Sequence, residues 1–145
     1  MSSCTLNNLN NELDKKQINI SIETPSDKYN IIFKEKLKRL LNSKQEHKSE
    51  FILNTSISFN STETLSVGGL NVLQSTTAVV TYSLKRKSSD VLIKSGSIKT
   101  FPALSSSSKS LYSGEKSIEH IKERLSVSSA NKLYLVLKVK LSRLN

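Results

Sequence analysis

The chain has 145 residues and a strongly basic composition, with 22 Lys and Arg residues against 12 Asp and Glu residues and a formal net charge of +10. This length suits one domain with one hydrophobic core. No apolar run reaches the length of about 18 residues that a membrane-spanning helix needs, and no apolar segment follows Met1, so we expect no signal peptide. The charge favours anionic partners, although richness in Lys, Asn, Ile and Ser is also typical of AT-rich genomes.

The N-terminal part of the chain predicts a tether, a strand and an amphipathic helix. Residues 1–16 are polar and of low complexity, which indicates a flexible tether before a single domain over residues 17–145. Residues 17–23 alternate between apolar and polar side chains and predict the first strand. Ser26 is a suitable cap for a helix over residues 27–42. The apolar side chains of this helix recur at steps of three and four, at Tyr29, Ile32, Phe33, Leu37, Leu40 and Leu41.

Alternation and turn residues predict three further strands. The strongest strand signal is residues 51–65, in which apolar and small polar side chains alternate. A Gly-Gly pair within residues 66–75 indicates a turn. Strands over residues 76–85 and 90–101 then flank a basic turn. Gly96 interrupts the second of these strands, which predicts a bulge or a close backbone approach.

The C-terminal part predicts a loop and a long helix. Residues 103–114 are typical of a loop, and the segment from Ser117 to Leu144 has a helical period that becomes ambiguous with a strand after Lys132. Its length and its lack of turn residues favour one helix. The resulting order is β-α-β-β-β-α, in which the first two strands are parallel and the last three form an antiparallel meander. Because each strand has one apolar face, we predict an α+β fold: a four-stranded mixed sheet with two helices packed on one face.

The residue patterns of enzymes and metal sites do not occur in the sequence. His47 and His120 have no nucleophile or metal ligand at a suitable spacing, and the single cysteine, Cys4, cannot form a disulfide or a metal site by itself. We therefore expect no enzymatic activity and no cofactor. We expect no nucleic-acid interface either, because Phe59 and Tyr82 fall on the inward, apolar phase of the strands and not on an exposed basic face.

Several stretches of the chain resemble the lipopolysaccharide-assembly lipoprotein family, LptE, in the shorter form seen in alphaproteobacteria. The resemblance covers residues 17–140 and rests on the stretches FILNTSISFNST, AVVTYSL, VLIKSGSIKTF and EHIKERLSVSSANKL. A pattern of tyrosine, aliphatic residues and glycine spans the last hairpin, at Tyr82, Leu84, Val91, Leu92 and Gly96. The resemblance implies the same fold and a non-enzymatic protein. Such a protein plugs the lumen of an LptD-type β-barrel on the periplasmic side of the outer membrane and assists insertion of lipopolysaccharide into the outer leaflet.

The resemblance also implies a lipid anchor and a contact with lipopolysaccharide. Family members begin at a lipidated cysteine followed by a short tether, which makes Cys4 the candidate anchor to the outer membrane. The family's lipopolysaccharide contacts lie at the end of the sheet that carries the loops of residues 61–74 and 103–114. The first of these loops has no basic residue here. Lys109 and Lys116 are therefore the candidates for pairing with lipid A phosphates.

Two other interpretations fit the same residues. The basic charge, which includes Lys85, Arg86 and Lys87 at the opposite end of the sheet, suits an α+β binding module for nucleic acid or a membrane surface. A different small periplasmic lipoprotein with the same layout, unconnected to lipopolysaccharide, is the second alternative. For Cys4, the alternative to a lipid anchor is an incidental cysteine near the terminus.

Overall fold

A computed structural model describes residues 19–41, 49–65, 72–101 and 111–143. The elements in chain order are strand β1 (Ile20–Glu23), helix α1 (Lys28–Leu41), strands β2 (Phe51–Leu65), β3 (Val72–Arg86) and β4 (Leu92–Thr100), and helix α2 (Leu111–Arg143). This is the β-α-β-β-β-α order that the sequence predicted. No helix within the described residues is both long and apolar enough to cross a membrane.

The strands form one mixed sheet in the order β1-β2-β3-β4. β1 runs parallel to β2, with Ile20 opposite Phe51, as expected for two strands joined by a crossover helix. β2, β3 and β4 pair as an antiparallel meander. We call the end at which β2 is followed by β3 the hairpin end. The end at which β3 is followed by β4, through residues 87–91, is the turn end.

Both helices pack on one face of the sheet, as predicted. The core between the two layers is built from the inward phase of each strand and one stripe of each helix. Tyr29 of α1 and Lys122 of α2 both lie against Phe59 near the hairpin end, so both helices run from the hairpin end towards the turn end. The completely buried apolar side chains are Phe33, Leu37, Leu53, Ala78, Val80, Leu84, Ala130, Leu133 and Leu137.

The hairpin formed by β2 and β3 is longer than predicted. Residues 72–75, expected in a turn, belong to β3, and the predicted loop of residues 61–74 is mostly paired strand. Pairing with β2 outweighs the weak local preferences of these residues, since β-propensity depends on cross-strand neighbours. β4 pairs with β3 only as far as Ala78, so the outer part of the hairpin extends beyond the four-stranded sheet.

Helix α2 is a single helix of 33 residues, which confirms the helical interpretation of the segment after Lys132. It begins at Leu111 and not near Ser117, so residues 111–114, predicted as loop, are helical. One glycine inside a helix costs only about 1 kcal/mol, so Gly114 was too weak a signal to mark the boundary.

Small side chains hold α2 close to the sheet. Ser126, Ser129 and Ala130 are all fully buried. The Ser129 hydroxyl donates a hydrogen bond of 3.0 Å to the Thr100 hydroxyl of β4. The Ser126 hydroxyl donates to the backbone carbonyl of Lys122 at 2.8 Å, which satisfies it within its own helix.

Asn30 joins the start of α1 to the sheet. The observed helix cap is Asp27, one residue after the predicted cap Ser26. The Asp27 carboxylate accepts hydrogen bonds from the side-chain amide and the backbone N–H of Asn30. The Asn30 amide in turn accepts from the Ile57 N–H at 2.9 Å and faces the Ile57 carbonyl at 3.5 Å. Because β1 stops pairing at Asn54, the Asn30 side chain takes the place of a missing strand neighbour at Ile57.

Gly96 lies opposite Tyr82 in the β3–β4 pair. A Cβ atom at position 96 would lie 3.1 Å from the Tyr82 hydroxyl oxygen, so the tyrosine side chain covers the glycine. The predicted close approach is therefore made by a side chain and not by backbone. The irregularity in register lies elsewhere, between Leu84 and Lys85, where Ile93 is the extra residue of β4.

Candidate functional site

The face of the sheet that the helices leave open is lined mainly by small, uncharged polar side chains. These residues alternate with the core residues along the strands and are exposed or half-buried. They are Asn54, Ser56, Ser58 and Asn60 in β2, Thr77, Thr81 and Ser83 in β3, and Ser95 and Ser97 in β4. Within the described part of this face, charged side chains occur only at its margins, at Glu23, Lys85 and Lys99. We call this surface the hydroxyl face.

The chemistry of the hydroxyl face suits close contact with a polar partner. Hydroxyl and amide groups both donate and accept hydrogen bonds, directly or through water. Serine and threonine also have little side-chain freedom to lose when they are covered. A sheet face made for solvent alone normally carries many Lys and Glu residues, which also discourage association. The hydroxyl face lacks that feature at its centre.

A second surface lies at the hairpin end, where two lysines meet two aromatic rings. Tyr29 and Phe59 pack edge to face, with ring centroids 5.1 Å apart. The Lys122 ammonium lies 5.7 Å from the Tyr29 centroid and 5.5 Å from the Phe59 centroid. Lys28 lies 5.6 Å from the Tyr29 centroid. These distances are within the range of cation–π attraction. We call these four residues the lysine–aromatic cluster.

The two lysines of the cluster differ in their ionic partners. Lys28 Nζ lies 3.2 Å from a carboxylate oxygen of Glu123. The hydrogen bond to Glu123 raises the pKa of Lys28, so this side chain stays charged. Lys122, which is half-buried, has no carboxylate within 4 Å in the described part of the chain. An ammonium held over two rings without a neutralising carboxylate is suited to attract an anion.

The structure places the sequence-predicted site residues as follows. Cys4 and Lys109 lie outside the described residues, as do the tether and most of the loop of residues 103–114. Lys116 lies in α2, six residues before Lys122, which is about 9 Å along the helix axis. His120 is exposed.

The expectation that the β2–β3 connection and the start of the last helix share one end of the sheet is confirmed. Sequence reasoning missed the lysine–aromatic cluster at that end. Its members come from α1, β2 and α2, so no local motif marks them. In the sequence, only the positions of Tyr29 on the inward face of its helix and of Phe59 on the inward face of its strand indicated part of this cluster.

The comparison with known proteins rests on structure alone, since no family model and no curated protein matches the chain. A candidate lipoprotein from Caulobacter crescentus superposes with a TM-score of 0.64 and 14% identity, over 92% of this chain and 98% of that one. Rare lipoprotein B from Shewanella oneidensis gives a TM-score of 0.69 and 13% identity, over 87% of this chain and 98% of that one. The chain has the fold of these bacterial lipoproteins.

A minor lipoprotein from Acinetobacter baumannii shows the same fold, with a TM-score of 0.65 and 11% identity over 86% of this chain and 92% of that one. Nearly the whole of each neighbour is covered, so the β-α-β-β-β-α layout described here accounts for the compared chains almost completely. The low identities mean that this likeness concerns the fold and transfers no individual residue.

Proposed function

We propose that this chain is a non-enzymatic lipopolysaccharide-assembly lipoprotein of the outer membrane, which plugs an LptD-type β-barrel and assists insertion of lipopolysaccharide into the outer leaflet. The observation that carries the proposal is the hydroxyl face, whose charged side chains, within the described residues, lie only at its margins. The resemblance of FILNTSISFNST and VLIKSGSIKTF to the LptE family supports it. The fold shared with three bacterial lipoproteins supports it as well.

A surface of this composition suits the inside of a barrel because a barrel lumen is polar and hydrated. Small hydroxyl groups can bond to lumen side chains or to trapped water without leaving a charge desolvated. A lysine at the centre of the same face would lose its hydration on insertion, and without a matched carboxylate this loss is unfavourable. Depletion of charge at the centre is a general property of protein–protein interfaces.

The proposed lipopolysaccharide contact lies at the hairpin end. Lys109 and Lys116 remain the candidates from the sequence, and Lys122 of the lysine–aromatic cluster joins them. Lipid A phosphates are dense anions, and their hydrogen bonds with lysine are charge-assisted. The proposal places the chain on the periplasmic side of the outer membrane, anchored through a lipid on Cys4.

Co-purification with the LptD-type barrel of the same genome tests the plug role. We expect a one-to-one complex with the unmodified chain. The variant Thr81→Lys, which places a charge at the centre of the hydroxyl face, should lower recovery of the barrel at least tenfold. The matched control is Asn131→Lys, which adds the same charge at an exposed position of α2. This control should retain the complex.

Two outcomes would overturn this proposal. If the unmodified chain and the barrel, both folded and in one compartment, form no complex, the plug role is wrong. If Thr81→Lys binds as well as Asn131→Lys, the hydroxyl face is not the contact surface. Circular dichroism of both variants shows whether a loss of binding reflects a loss of folding.

A further inference from the structure

The positive charge of the described residues is concentrated at the turn end. The β3–β4 turn and its flanks contribute Lys85, Arg86, Lys87 and Lys94. The last turns of both helices, which run towards this end, contribute Lys38, Arg39, Lys140 and Arg143. The acidic side chains placed among them are Glu50 and Asp90. This segregation differs from the even spread that a composition bias alone would produce.

The hairpin end has a different balance. Its described side chains include the basic residues Lys28, Lys99, Lys122 and Arg124 and the acidic residues Asp27, Glu119 and Glu123, so the two signs nearly balance. Among the described residues, the turn end therefore carries the larger excess of positive charge. A partner with a dense negative surface would approach this molecule by its turn end.

Two exposed aliphatic side chains accompany the cations at the turn end. Val91 is 57% exposed and Leu92 is 53% exposed, and both directly follow the basic turn. The Arg86 N–H donates a hydrogen bond of 3.0 Å to the Val91 carbonyl, and Leu92 pairs with Lys85. Aliphatic side chains that project between lysines and arginines are typical of segments that rest in the headgroup region of a membrane.

The chain enters the domain at this same end. Ile20, the first residue of β1, pairs with Phe51 at the start of β2. The backbone N–H of Glu50 donates a hydrogen bond of 3.0 Å to the carbonyl of Asn19. The segment that precedes Asn19, and with it Cys4, thus joins the domain beside the basic turn. The 15 residues from Cys4 to Asn19 can span at most about 50 Å, so an anchor at Cys4 keeps this end near the membrane.

We propose that the turn end is a docking surface for the anionic phospholipid headgroups of the leaflet in which the chain is anchored. Lys87, Arg143 and their neighbours pair with headgroup phosphates, and Val91 and Leu92 enter the interfacial layer. The role of the anchor rests on the proposed function above, but the attraction to anionic lipid does not depend on the barrel.

Vesicle co-sedimentation of the unlipidated full chain tests this inference. Vesicles of phosphatidylglycerol and phosphatidylethanolamine should bind the chain at least tenfold more tightly than neutral phosphatidylcholine vesicles, and added salt should weaken the binding. Each Lys or Arg near an anionic surface contributes about fivefold in affinity. The double variant Lys87→Gln with Arg143→Gln should therefore bind about 25-fold more weakly. The double variant Val91→Ser with Leu92→Ser should bind more weakly without losing salt sensitivity.

The matched control is Arg124→Gln with Lys132→Gln, which removes the same charge from exposed positions outside the turn end. It should retain affinity within about twofold, because its charges lie farther than a Debye length from the docked surface. Equal losses in the two double variants, or absence of binding to anionic vesicles, would refute the inference. Tighter binding to a mixed-sequence oligonucleotide than to the vesicles would assign the basic end to nucleic acid and also refute it. Since no barrel is present, failure here is distinct from failure of the plug role.

Discussion

Replacement of Asn30 by alanine should destabilise the protein by removing the side chain that substitutes for a strand. Asn30 is only 3% exposed and is the link between the first turn of α1 and the edge of β2. Its amide accepts from the Ile57 N–H at 2.9 Å and faces the Ile57 carbonyl at 3.5 Å. In Asn30→Ala the Ile57 peptide would lose these contacts at a buried site that β1 does not reach.

The magnitude follows from these contacts. A net hydrogen bond contributes about 1 kcal/mol, and a buried peptide group left without a partner costs about 1–3 kcal/mol. Alanine returns roughly 0.5 kcal/mol through its higher helix propensity. We therefore expect Asn30→Ala to lower the free energy of unfolding by about 2–3 kcal/mol. Urea unfolding followed by circular dichroism measures this difference.

The control is Asn131→Ala, which makes the same chemical change at an exposed position of α2. Only the helix propensity changes there, so we expect a gain of about 0.5 kcal/mol. A loss below about 0.5 kcal/mol for Asn30→Ala, or equal effects in both variants, would refute the argument that Asn30 replaces a strand neighbour at Ile57.

Three further predictions concern single side chains. The buried Thr55 hydroxyl has no hydrogen-bond partner in the described structure. Thr55→Val should therefore raise the free energy of unfolding by about 1 kcal/mol. A clear decrease in that free energy would show that the hydroxyl is hydrogen-bonded. Gly96→Val should lower the free energy of unfolding by about 1–3 kcal/mol by crowding Tyr82. The decrease should be clearly smaller in a Tyr82→Phe background, because the atom nearest to the added Cβ is the tyrosine oxygen. A double-mutant cycle that shows no coupling between the two positions contradicts this. Hydrogen bonds from Asn30 lower the pKa of Asp27 in the folded protein. The ionised carboxylate therefore stabilises the fold above its unfolded pKa near 3.8, and this contribution is lost as the pH falls through the lowered folded pKa. Asp27→Asn should flatten this part of a titration of unfolding free energy against pH.

The strands were predictable where one face is buried. Residues 51–60 alternate because a half-buried strand repeats every two residues, and the observed β2 spans Phe51–Leu65. Residues 72–75 could not be assigned from local preference, because pairing with β2 determines their conformation. The start of α2 was misplaced for a similar reason. Serine and glycine near position 114 are typical of a loop, but the stability of the long helix outweighs their low helix propensity.

The candidate surfaces differ in how far the sequence revealed them. The hydroxyl face follows directly from the polar phase of the predicted strands, so it could be anticipated. The lysine–aromatic cluster and the contact of Asn30 with Ile57 depend on how α1 and α2 lie across the sheet, which the helical period alone does not determine. Long-range positions of this kind are set by packing and not by any local pattern.

Basic residues at the ends of helices have a structural explanation that must be separated from membrane docking. Cations in the last turn of a helix interact favourably with its dipole, so Arg143 stabilises α2 whether or not it meets a lipid. Lys87 belongs to the β3–β4 turn and not to the last turn of a helix, to which the dipole effect is confined, so the dipole gives no reason for its charge. We expect Arg143→Gln to lower the free energy of unfolding by about 0.3–1 kcal/mol and Lys87→Gln to leave it unchanged.

Comparison of the two single variants by urea unfolding and by vesicle binding separates these roles. If both weaken vesicle binding about fivefold while only Arg143→Gln affects stability, charge at the turn end acts on the lipid in addition to the helix. If Arg143→Gln affects stability alone and Lys87→Gln affects neither measurement, helix electrostatics explain the basic end and the docking surface is refuted. The turn residues are therefore the decisive ones, because they lie outside the last turns of both described helices.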